Sequence, residues 1–134
     1  MRKSIALIAL ATLMVACQET LEEKAAREAR VYTEKNCPSQ LSETLRMDSL
    51  TFDMATHTLF YCYTLTGTAD VDSLYDPEKL RQTLLDELKN TTSIKIYKDA
   101  GFNFVYAYYS EKQPGKEIFS AQFSAADYQK KTAE

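Results

Sequence analysis

The chain has 134 residues, 19 acidic against 16 basic side chains, a formal charge of −3 and a single histidine. That length suits one domain with a real core. The acidic balance leaves no basic patch able to neutralise several phosphates, which excludes nucleic acid as a partner. One histidine and three cysteines at unsuitable spacing fall short of a common zinc site.

The chain opens Met1-Arg2-Lys3, and an apolar run from Ile5 to Ala16 follows, broken only by Thr12. A basic start, about a dozen apolar residues and a small-residue end describe an export signal. The run is short of the roughly 20 residues a membrane-spanning helix needs. Residues 1–16 are therefore read as a signal peptide. Its removal takes away Arg2 and Lys3 and leaves the remainder more acidic still.

Leu13-Met14-Val15-Ala16-Cys17 resembles the lipobox of bacterial lipoproteins, with Met14 where leucine is usual. That resemblance implies lipid on the Cys17 thiol, cleavage before it, and a triacyl anchor with a fatty chain such as palmitate. Several acyl chains hold a protein stably, whereas one alone binds marginally. Gln18 stands where an aspartate would signal inner-membrane retention, so the resemblance implies the outer membrane, either face. The expected organisation is the signal peptide, a lipidated N-terminus with a first helix over 17–36, and a domain over 37–134.

Thr20 and Glu23 form a capping box that starts a helix over 20–36, and Asn36-Cys37-Pro38 stops it. Leu21, Ala25, Ala29 and Tyr32 share one face at helical spacing. From Leu41 the period becomes two, with a change of phase near Ser49 that predicts a bulge. Thr58–Thr66 is rich in β-branched and aromatic residues, and Ala55-Thr56-His57 before it predicts a hairpin turn. Asp76-Pro77 opens a second helix with Leu80, Leu84, Leu85 and Leu88 as its buried stripe. Ile94–Tyr97 is ambiguous. Strands at Phe102–Ser110 and Ile118–Ser124 follow, joined through Pro114-Gly115. The expectation is an α+β domain in the order α-β-β-α-β-β, with a four-stranded antiparallel sheet and helices on one face.

Leu50-Thr51-Phe52-Asp53, Thr58 to Leu65, Ala100-Gly101-Phe102, Tyr106-Ala107-Tyr108 and Gly115-Lys116-Glu117-Ile118 before Asp127-Tyr128 carry a second resemblance. Over about residues 39 to 128 the body resembles small envelope lipoproteins of Gram-negative bacteria. It implies an envelope protein and brings no known activity.

Cys37 and Cys62 stand in a compartment expected to be oxidising. They either pair, closing a loop worth about 3 kcal/mol, or remain buried thiols. His57 and Cys62 would serve a thiol- or histidine-dependent enzyme only if they converged on a pocket. Asp70, Asp72 and Asp76 faintly match the spacing of a calcium loop, without its glycine or closing glutamate. No catalytic or phosphate-binding motif occurs, and no cofactor is called for. Tyr106 and Tyr108 fall on one face of the third strand and Tyr61 and Tyr63 lie on the second, and an open tyrosine face suits a protein or a glycan. The reading is a non-catalytic, membrane-tethered binding module. A purely structural envelope lipoprotein is the bland alternative.

Overall fold

The computed structural model describes residues 18–129, so the expected signal peptide and Cys17 lie outside the described residues. The elements are α1 (Leu21–Asn36), β1 (Ser39–Ser42), β2 (Leu45–Asp53), β3 (Thr58–Leu65), α2 (Pro77–Asn90), α3 (Lys95–Asp99), β4 (Asn103–Ser110), β5 (Glu117–Phe123) and α4 (Ala125–Tyr128). The class is α+β, with one five-stranded sheet in the order β1-β2-β3-β4-β5.

Two expectations about the sheet are corrected. The stretch read as one strand from Leu41 is two: β1 turns at Glu43-Thr44 and pairs antiparallel with the start of β2. No glycine or asparagine marks that turn. The sheet is also mixed, because β3 and β4 pair in parallel from Thr58↔Asn103 to Leu65↔Ser110. The α2–α3 segment joins them, and parallel neighbours require such a crossover. The joins on either side of this pair, β2–β3 and β4–β5, are antiparallel hairpins.

Local chemistry sets the element ends. Thr20 and Glu23 exchange side-chain and backbone hydrogen bonds at 3.1 and 3.3 Å, completing the capping box of α1. Asp76 accepts from the N–H groups of Glu78 and Lys79 at the start of α2. The register of β2 shifts between Met47 and Ser49, so Met47 and Leu50 both face the helices. The β2–β3 hairpin closes with His57 at φ +52°, a left-handed position that a non-glycine residue seldom takes.

The helices cover one face. Ala25 and Ala29 of α1, Leu84 and Leu88 of α2, Tyr97 of α3 and Tyr128 of α4 pack with Leu59, Phe104, Ala121 and Phe123 of the sheet. The Tyr128 hydroxyl donates to the carbonyl oxygen of Phe102 at 2.8 Å, tying α4 under β4. The opposite face carries Phe60, Cys62, Val105 and Ala107, by strand alternation. Among the described residues no helix is long and apolar enough to cross a membrane.

Candidate functional site: an aromatic trench between two helices

Along β3 and β4, paired residues of the parallel ladder point the same way. Tyr61 meets Tyr106 and Tyr63 meets Tyr108, each pair stacked with ring centroids 4.9 Å apart and planes within 18°. Phe123 and Phe119 of β5 extend the row from the side, at 6.0 Å from Tyr106 and 6.3 Å from Tyr108. The four tyrosines lie on the helix side of the sheet, which corrects the expectation of an open, uncovered face. They are nevertheless only partly buried. The reason is the spacing of the helices: α1 sits over β2, and α2 packs toward β5 and α4. The inward faces of β3 and β4 run between them as the floor of a trench.

Tyr32 of α1 remains 37% exposed on one wall. A cavity of about 160 Å³ at this wall is lined by Ala29, Tyr32, Tyr61, Ile94 and Tyr97 among others. Burial raises the pKa of Tyr63, Tyr106 and Tyr108, and the charge of Glu87 on α2 adds to it. Neither wall residue was singled out from sequence. Tyr32 was legible as part of the α1 stripe, and Glu87 falls three residues after Leu84, at the margin of the α2 stripe.

Burial pushes the Tyr61 hydroxyl up to about 12, with Tyr32 adding to it. Burial does the same to Tyr108, again to about 12, and the Glu87 charge adds to it. Tyr63 and Tyr106 are raised further, by burial first and then by their tyrosine neighbours. All four hydroxyls thus stay protonated at neutral pH. Among the described residues none of the four has a hydrogen-bond partner, and no fully buried side-chain polar atom lacks one. The hydroxyls therefore reach solvent within the trench. A floor of apolar ring faces edged with unspent O–H groups suits a ligand with both apolar and hydrogen-bonding parts.

The remaining candidate residues are dispersed. Cys37 and Cys62 are free thiols. Cys37 leads into β1 while Cys62 lies on β3, with β2 between. Strands two places apart are separated by about 9.6 Å, beyond disulfide reach. His57 sits in the β2–β3 turn, half exposed, 3.8 Å from Glu22 and with its ring 5.3 Å from that of Phe102. Cys62 is five residues up β3, about 16 Å away at strand rise, so the pair needed for thiol–histidine chemistry does not converge.

The three aspartates are each engaged. Asp70 accepts from the N–H of Lys112 at 2.8 Å, Asp72 pairs with Lys116 at 2.9 Å, and Asp76 caps α2. A hydrogen bond from Ser110, then the Lys112 N–H, holds the Asp70 carboxyl below its ordinary value. No cluster of three metal-ligating side chains occurs among the described residues.

The sheet, its one-sided helical cover and the trench define a small α+β domain of a recurrent kind. The chain belongs to the family described as a domain of unknown function, DUF8479, whose model matches residues 20–119. No curated protein matches the sequence. Solved structures with a similar fold include a Pseudomonas aeruginosa protein described as secreted, with a TM-score of 0.66 and 17% identity over 82% of this chain and 91% of that one. The pilotin EpsS of the Vibrio vulnificus type 2 secretion system gives 0.61 and 15%, over 82% of this chain and 93% of that one. The type II secretion pilotin AspS of Vibrio cholerae gives 0.57 and 13%, over 79% and 90%. At these identities the likeness establishes the fold.

Proposed function

We propose that this chain is an exported, lipid-anchored protein of the cell envelope that acts without catalysis, holding a segment of another envelope protein in the tyrosine trench. The observation that carries the reading is the double stack Tyr61–Tyr106 and Tyr63–Tyr108, with four hydroxyls unspent by the domain itself. Such a surface offers ring faces at little entropic cost and specificity through O–H groups. Raised hydroxyl pKa values suit hydrogen bonding and not acid–base work at neutral pH. The residues Met1–Cys17 support export and lipidation. Two structures sharing the fold are named as pilotins of type II secretion systems, which sets this architecture, in those proteins, within an envelope apparatus.

A photoreactive residue placed at Tyr32, on the trench wall, tests this in intact cells. The expected result is one discrete protein adduct, weakened when Tyr63 and Tyr106 become Phe, which removes hydroxyls and keeps the rings. The same probe at Ser120, on the opposite face, should give none. Absence of an adduct at Tyr32, or identical adducts from both positions, overturns the reading.

A further inference from the structure

The two ends of the sheet differ in which segments reach them. At the lower end, where β2 turns into β3, lie the start of α1, the end of α2, and α3 and α4. His57 of the turn faces Glu22 of α1, and Phe102 stacks on Tyr97 with the His57 ring tilted against it. Two large apolar side chains are exposed at this end, Met54 in the hairpin turn and Ile96 of α3, while the upper end exposes Leu41, Val71 and Leu74, so the position of the chain's entry and not apolar exposure tells the two ends apart. Beside Ile96 opens a cleft of about 300 Å³, lined by Lys89, Lys95, Lys98 and Asp99 with Tyr128 and Gln129. Lys98 turns its ammonium onto the carbonyl oxygens of Leu88, Lys89 and Thr91, and Lys95 pairs with Asp99.

The described chain also begins at this end, and the leader before it is short. Only Gln18, Glu19 and Thr20 separate Cys17 from Leu21. Fully extended, that link spans about 14 Å. It is not free to extend: Thr20 is locked in the capping box, and Arg27 grips Glu19 through two hydrogen bonds of 2.6 and 3.0 Å. A lipid on Cys17 would leave the domain no flexible stalk on which to float above the bilayer.

We infer that the lower end seats on the headgroup layer, with Ile96 and Met54 entering the interface. The inference rests on the lipid anchor at Cys17. A short link from a lipidated residue holds the nearest end of the domain against the bilayer, where exposed apolar side chains can enter the acyl boundary. Seated so, the domain turns its upper end, with the 67–76 loop and the β4–β5 turn, away from the membrane, and the trench runs from one end to the other between them.

The chain contains no tryptophan, so single substitutions supply a clean depth probe. Lipidated full-length protein carrying Ile96→Trp, Met54→Trp or, at the upper end, Leu74→Trp is reconstituted with vesicles of phosphatidylethanolamine and phosphatidylglycerol containing brominated acyl chains. Expected is co-flotation of all three proteins, with quenched and blue-shifted emission from the Ile96 and Met54 positions and unchanged emission from Leu74. Flotation with equal, unquenched emission from all three overturns the seating and leaves the anchor standing. Flotation that survives Cys17→Ala, or is missing in the parent protein, overturns the anchor and the seating with it.

Discussion

The hydroxyl of Thr33 bridges both backbone groups of Leu50, donating to its carbonyl oxygen at 2.7 Å and accepting from its N–H at 2.9 Å. β1 is short and pairs with β2 only as far as Met47, so Leu50 lies on an edge no strand covers. The helix covers it instead, and this contact sets how far α1 stands from the trench it borders. Replacing Thr33 with Val keeps the shape and removes both bonds, leaving two partly buried backbone groups unpaired. The expected cost is about 1–3 kcal/mol, read as a lower urea midpoint at unchanged slope. Thr33→Ser restores the hydroxyl and should recover most of the loss. A Thr33→Val protein as stable as the parent would mean that water replaces the bridge.

The tyrosine floor makes stability sensitive to alkali. In the unfolded chain these phenols ionise near pH 10, whereas in the folded protein Tyr61 and Tyr108 do so near 12. Folding holds protons that the unfolded chain gives up, so the contribution is complete below pH 10 and is lost as the pH climbs from 10 to 12. Each such tyrosine removes at most about 1.4 kcal/mol per pH unit across that window. Urea midpoints followed by circular dichroism through this range should therefore fall steeply in the parent. Tyr61→Phe with Tyr108→Phe should flatten the decline, since a phenylalanine binds no proton in either state. Equal slopes in the two proteins would place the floor in contact with bulk water.

What the sequence disclosed and what it hid divide along local and non-local lines. The capping box at Thr20, the Asp76-Pro77 start and the bulge after Met47 are written within a few residues of themselves, and each is present. The β1 hairpin was hidden because Glu43-Thr44 carries no turn chemistry. The parallel β3–β4 pair was hidden because partnership across a crossover leaves no trace in neighbouring residues. Tyrosine caused the remaining error. Phe60 and Cys62 alternate with Tyr61 and Tyr63, and a side chain with an apolar ring and a polar tip fits either face. The four tyrosines were legible as a candidate face; their stacking waited on the β3–β4 pairing, and their side of the sheet on where the helices dock.

Lys98 is the joint between α2 and the lower end of the sheet. Its ammonium donates to the carbonyl oxygens of Leu88 at 2.7 Å, Thr91 at 2.6 Å and Lys89 at 3.2 Å, capping the C-terminal end of α2 where helix carbonyls lack partners. Burial lowers its pKa below the ordinary lysine value, so the charge is held at some desolvation cost. Two effects compete when Lys98 becomes Met. Stability gains from discarding a desolvated charge, and loses because three carbonyls give up a charge-assisted donor. Bonds to charged groups contribute about 1.5–3 kcal/mol each when made, while water can reach an open helix end and return part of that. The carbonyls should win, with a net loss of about 1–2 kcal/mol. Amide hydrogen exchange should localise the loosening to the last turn of α2 and to α3, leaving β3 and β4 protected. Loosening spread evenly over the domain would make Lys98 a global support and not a cap.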